Sequence, residues 1–167
     1  MTAASSIQLK RPIWSTIVML AVSFWLSGSL ILDGVIMPSL YFSGMMTQSG
    51  FATAGYLLFW NFNRIELVAA ALVVAGVLAV STQMGRVQWR LGAVILSLLL
   101  LGVSLTETYL LTPQMCATGL HLNLFESAVE VPTTMNQLHI AYWLLEVFKF
   151  VAGGTLLSWC FRQQTAN

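Results

Sequence analysis

Four apolar runs, at Trp14–Met37, Tyr56–Val80, Leu91–Leu111 and Gln137–Trp159, are each long enough to cross a lipid bilayer, and only short polar breaks separate them. A hydrocarbon core about 30 Å thick takes about 20 helical residues to cross. A segment in lipid must also satisfy its own backbone hydrogen bonds, and these runs are too long and too uniformly apolar for barrel strands. The expected fold is therefore all-α: one four-span membrane bundle covering residues 1–167. Composition agrees, with 57% hydrophobic and 8% charged residues and a mean hydropathy of +0.80. Soluble domains hold roughly 45–50% apolar and about 25% charged residues. No internal repeat, linker or second domain is visible in the sequence.

The cations outside the runs set a direction. Lys10 and Arg11 precede the first span, Arg86 and Arg90 lie in the second loop, and Arg162 follows the fourth span, all on one side. The loops at 38–55 and 112–136 carry no Lys or Arg, only Glu126 and Glu130. The positive-inside rule then puts both termini in the cytoplasm, which requires an even number of spans. The basic N-terminal flank resembles that of a signal peptide, but the apolar stretch behind it exceeds the ~7–15 residues of a cleavable one, so a retained anchor is expected. Cys116 and Cys160 fall on opposite sides and cannot pair. Of the outer segments, 39–55 is Met- and aromatic-rich enough to lie in the interface or against the bundle, and 124–131 suits a short amphipathic turn.

With a net charge of +1 and no basic run longer than Lys10-Arg11, nucleic acid is excluded as a partner. No CxxC, HExxH, GxSxG or P-loop pattern occurs, no paired ExxH units suggest a di-iron bundle, and His121 and His139 are poorly placed for haem. Catalysis is not expected, and no cofactor is indicated.

The informative residues are those that lipid should not tolerate: Asp33, Arg64, Glu66, Glu107, His139, Glu146 and Lys149. Each charge at the centre of a spanning helix costs about 2.5–3.5 kcal/mol on insertion scales, so such groups face partners or water. On the fourth span His139, Tyr142, Glu146, Lys149 and Gly153 share one helical stripe, and Ser97, Ser104, Glu107 and Thr108 form another on the third. Ser23 and Ser27 would permit close approach of the first span. Arg64 and Glu66, two residues apart, project to nearly opposite sides and cannot pair with each other. The expectation is that both still point inward, Arg64 toward Asp33 or Glu107, and Glu66 toward His139, Glu146 or Lys149.

At about 1.5 Å of rise per residue, Asp33 and His139 fall near the outer rim and Glu66, Glu146 and Lys149 near mid-membrane, while the inner half carries no charge. That pattern predicts a polar vestibule entered from outside, with an apolar floor. Its four acids, Asp33, Glu66, Glu107 and Glu146, outnumber Arg64 and Lys149 by two. Protonation, or a bound cation or polar solute, would complete the set, and structural ion pairing between helices is the competing explanation. The partners to consider are thus the bilayer, a small cation or polar solute, and subunits of a larger membrane complex or a homo-oligomer in which this chain is an accessory component.

The stretches FWLSGSL (Phe24–Leu30) with Met37-Pro38, LFWNFNRIE (Leu58–Glu66) and LHIAYWLLEVFK (Leu138–Lys149) resemble, in order, the bacterial membrane proteins with domain of unknown function 4149, which are related to transmembrane protein 205 of animals. The resemblance implies that Trp25, Gly28, Pro38, Asn63, Arg64, Glu66, His139, Glu146 and Lys149 stand at family-like positions, and it supplies no reaction. Asp33 departs from the family pattern. A bacterial plasma membrane is the implied location, or a thylakoid membrane in a photosynthetic source.

Overall fold

The computed structural model describes residues 13–45, 50–81, 87–125 and 133–165. Its helices are α1 (Ile13–Ile31), α2 (Met37–Phe42), α3 (Phe51–Ser81), α4 (Val87–Thr106), α5 (Thr112–Phe125) and α6 (Thr133–Thr165), with π-helical turns at Leu32–Ile36 and Glu107–Leu111. Each π-turn fuses the helices on either side of it, so the described residues form four rods, all long and apolar enough to cross a membrane. No strand occurs among the described residues. The end that carries the chain termini is called the terminal end below, and the opposite one the loop end. Lys10, Arg11, Arg86, Glu126 and Glu130 lie outside the described residues.

Helix is continuous well past the span ends expected at Met37 and Leu111, and the reason is local. Pro38 and Pro113 follow those positions, and a proline ring ordinarily collides with the carbonyl four residues back and offers no N–H. Here the preceding turn is widened: the Met37 N–H bonds the Leu32 carbonyl and the Thr112 N–H bonds the Glu107 carbonyl, each spanning five residues instead of four. The first rod ends in a turn at Gly44, whose φ of 72° favours glycine and whose N–H bonds the Tyr41 carbonyl at 3.1 Å. Tyr41 and Phe42 are exposed just before it.

Each rod packs on two neighbours, first on second, second on third, third on fourth and fourth on first. The half of the core nearer the terminal end is apolar, built from Val18, Val22, Trp25, Ala70, Val73, Leu100, Leu156 and their neighbours, as the charge-free stretches of the sequence imply. Large apolar side chains such as Leu20, Phe24, Val68, Leu98 and Val151 face outward, where a bilayer would meet them. Close approach comes from glycines, whereas Ser27, expected to serve this purpose, is exposed. A Cβ on Gly76 would collide with Val18 Cγ2. Gly76→Ala is therefore expected to cost about 1–3 kcal/mol, because valine has little rotamer freedom with which to yield. Gly102→Ala, which meets nothing within 4 Å, is the control that should not destabilise in the same detergent melting experiment.

A repeat that the sequence conceals is visible in the burial pattern. Five buried positions on the first rod recur on the third at constant spacing, pairing Val22 with Ser97, Trp25 with Leu100, Ser29 with Ser104, Leu32 with Glu107 and Asp33 with Thr108. The second and fourth rods match likewise, Asn63 with Glu146, Glu66 with Lys149, Ala69 with Ala152 and Val73 with Leu156. Pro38 and Pro113 fall in the same register. Rods one and three run parallel, as do rods two and four, so the ring is made of two hairpins in corresponding order. Side-chain identity is kept at few of these positions, so no sequence signal survives, but burial is kept at all of them.

Candidate functional site

The charged side chains gather where the apolar half of the core ends. Glu66 of α3, Glu107 of the second π-turn, and Glu146 and Lys149 of α6 are all buried, none more than 2% exposed. Helical spacing explains the set. Asn63, Glu66, Ala70, Val73 and Val77 share the inward stripe of α3, as Tyr142, Glu146, Lys149, Gly153 and Leu156 share that of α6.

Lys149 is the hub. Its Nζ donates to Glu66 Oε1 at 2.7 Å and to Glu146 Oε1, and lies 3.6 Å from Glu107 Oε2. Ser29 of α1 donates to the same Glu66 oxygen at 2.6 Å, so all four rods contribute. The Trp25 ring lies 5.9 Å from the ammonium and forms the floor. The charges do not cancel: three carboxyl groups surround one ammonium. Nor are the hydrogen bonds complete, since both oxygens of Glu107 and Oε2 of Glu146 are buried without a partner.

A layer of hydrogen bonds closes the cluster on its loop-end side. The Tyr142 hydroxyl donates to Asp33 Oδ1 at 3.0 Å, and the Asn63 amide donates to the Thr112 hydroxyl at 2.7 Å. The Phe59 ring packs edge-on against Tyr142, with centroids 5.8 Å apart. Asp33 and Thr112 belong to or adjoin the two π-turns, so the widened turns stand at the height of this roof. The expected open vestibule is thus corrected to an enclosed cluster: Glu107 and Lys149 are 0% exposed beneath the roof.

Among the expected site residues, Glu66, Glu107, Glu146 and Lys149 meet directly, and Asp33, Asn63 and Tyr142 form the roof over them. Two are elsewhere. His139 is half-buried, with Nδ1 2.9 Å from the Met135 carbonyl of its own helix, and it reaches none of the acids by hydrogen bond or ion pair. Arg64 is exposed on the outer surface of the bundle, its guanidinium stacked 3.7 Å over the Trp60 ring. The expectation that it points inward is corrected, because Asn63 and Glu66 already hold the inward face of α3 and Arg64 lies about 100° round the helix from Asn63. Arg64→Ala should consequently change stability by less than about 1 kcal/mol, the worth of an exposed cation–π stack. A detergent melting curve of that variant checks the placement.

Sequence reasoning misses Ser29 and Thr112. Ser29 lies four residues before Asp33 on the same helical face, and Thr112 immediately precedes the proline that ends a π-turn, which are the signals that could find them. Cys116 and Cys160 are both free.

Oxygens of Glu66, Glu107 and Glu146 come within 4.8 Å of one another, a spacing that can hold a cation. The donors are oxygen only, which suits hard ions such as Ca²⁺ or Mg²⁺ over the softer transition metals. A metal ion would have to displace the Lys149 ammonium, which now takes that position. Comparison of the chain with protein-family models, with curated proteins and with solved structures finds no match.

Proposed function

We propose that the chain is an integral membrane protein whose enclosed cluster binds a proton or a small hard cation taken from the loop-end side, the side facing away from the cytosol. The observation that supports this reading best is Glu107, which is wholly buried, has no hydrogen-bond partner on either oxygen, and lies 3.6 Å from a lysine already engaged by two other carboxylates. Three acids around one ammonium leave two negative charges that a low-dielectric interior will not hold uncompensated. Protons on the carboxyl groups or an added cation supply the balance. Entry from the loop end passes the Tyr142–Asp33 and Asn63–Thr112 hydrogen bonds, whereas among the described residues the terminal-end half of the core offers a mobile charge no buried polar foothold past Ser97 and Ser15. Reversible uptake from one side is the behaviour that such a site supports. Membership of the family with domain of unknown function 4149 is proposed on the three stretches quoted above.

The test is infrared difference spectroscopy of the purified protein in detergent, in the carboxyl stretching region, across pH 4 to 9 and with added Na⁺, K⁺, Mg²⁺ or Ca²⁺. The wild type is expected to give a carboxyl band that responds to pH or to one of these ions. Glu107→Gln should remove that response without lowering the unfolding temperature, since it deletes an uncompensated charge and keeps the side-chain shape. An identical response from both proteins would overturn the assignment.

A further inference from the structure

Arg64 is on the lipid-facing surface of a membrane-spanning rod, and every acid among the described residues is buried. Within this chain its guanidinium is in contact with the Trp60 ring and with no carboxylate, as none of the ion pairs among the described residues includes it. A cation in lipid without an anion is costly, so one must come from outside the described rods.

What lies beside Arg64 says which anion. A groove of about 350 Å³ runs between α1 and α3, walled by Ala21, Phe24, Ile65, Val68 and Leu72, with Arg64 at its loop-end limit. Helical side chains lean toward the helix N-terminus, and for α3 that is the loop end, so Arg64 reaches from its backbone toward the membrane surface. The stack on Trp60, four residues nearer the loop end, holds it there. From Arg64 to Leu72 the apolar wall continues for about 12 Å along the rod and across the middle of the span. With the guanidinium drawn up beside Trp60, a charged head in the loop-end half and a hydrocarbon channel beneath it suit a lipid molecule of the loop-end leaflet. A second copy of the chain fits poorly, because its described rods present no carboxylate on an outer face.

We infer that this groove seats an anionic phospholipid, its phosphate on the Arg64 guanidinium and an acyl chain along the wall formed by Phe24, Val68 and Leu72. Guanidinium pairs with phosphate through parallel hydrogen bonds, and the indole of Trp60 keeps the fork oriented. The site is on the outside of the bundle and is independent of the buried cluster.

The experiment is native mass spectrometry of the full chain released from bilayer nanodiscs containing equal amounts of phosphatidylglycerol and phosphatidylcholine with identical acyl chains. The wild type should retain one phosphatidylglycerol with about fivefold preference, the ratio that one cation–headgroup interaction of about 1 kcal/mol produces. Arg64→Gln should bring the two lipids to equal retention. Val68→Trp, which narrows the groove from an exposed wall position, should reduce retention of both. Equal retention by the wild type, an unchanged preference in Arg64→Gln, or a lipid-free dimer whose interface is lost in Arg64→Gln would each overturn the assignment.

Discussion

Lys149→Met is expected to prevent the protein from accumulating in a folded form. The methionine nearly matches the lysine stem in size, so packing against Trp25 is retained and the loss is one of charge. Glu66 and Glu146 would lose their hydrogen-bonded cation, Glu107 its neighbouring one, and three carboxyl groups would face one another within 4.8 Å in the middle of an apolar bundle. Removing one partner of a buried ion pair costs about 3–5 kcal/mol, a large part of the roughly 5–15 kcal/mol by which a soluble domain of ordinary size is stable. Expression level and the unfolding temperature in mild detergent are the readouts. Because the damage comes from like charges, Glu66→Gln together with Glu107→Gln in the same chain should restore a measurable transition. If Lys149→Met alone melts like the wild type, the ammonium is not the hub of the core.

The second large effect concerns the direction of the pair. Lys149→Glu alone should be more damaging than Lys149→Met, since it adds a fourth carboxyl to the three already present. Glu66→Lys in the same chain should then recover folded protein. The recovery follows from geometry: positions 66 and 149 occupy corresponding places on rods two and four and touch across the centre of the bundle. A lysine at position 66 would reach the same centre from the opposite rod and find Glu146, Glu107 and the carboxylate introduced at position 149 around it. Ser29, which donates to Glu66, would have to rotate and accept from the lysine instead, so recovery should be partial. Both variants can be followed by size-exclusion profile and melting temperature. Failure of the double variant to exceed Lys149→Glu would show that the site distinguishes its two sides.

Much of this arrangement is legible from residue types and spacing. Four rods follow from the lengths of the apolar runs, and the polar stripes on rods three and four correctly name Glu107, Thr108, Tyr142, Glu146 and Lys149 as inward-facing. Helical periodicity gives relative angles along one rod, however, and not which angle faces the centre. That is why Arg64 and Glu66 can be separated but not ranked, and why His139, at the edge of a correct stripe, groups with residues it does not reach. The roof is harder still to foresee. Beyond a π-turn the helix is wound by one residue more than an α-helical count allows, so the faces of α2 and α5 cannot be extrapolated from α1 and α4. Pro38 and Pro113, placed just past the first and third apolar runs, are the trace of this in the sequence.

The matched burial of the two hairpins bears on how such a site can arise. In a symmetric dimer of one hairpin, the residues meeting at the two-fold axis are necessarily identical, so a glutamate there would confront a second glutamate and a lysine a second lysine. Joining two hairpins in one polypeptide lifts that restriction: each half can be altered without the other. An acid can then oppose an amine at the axis, and one half can supply a carboxyl where the other supplies leucine.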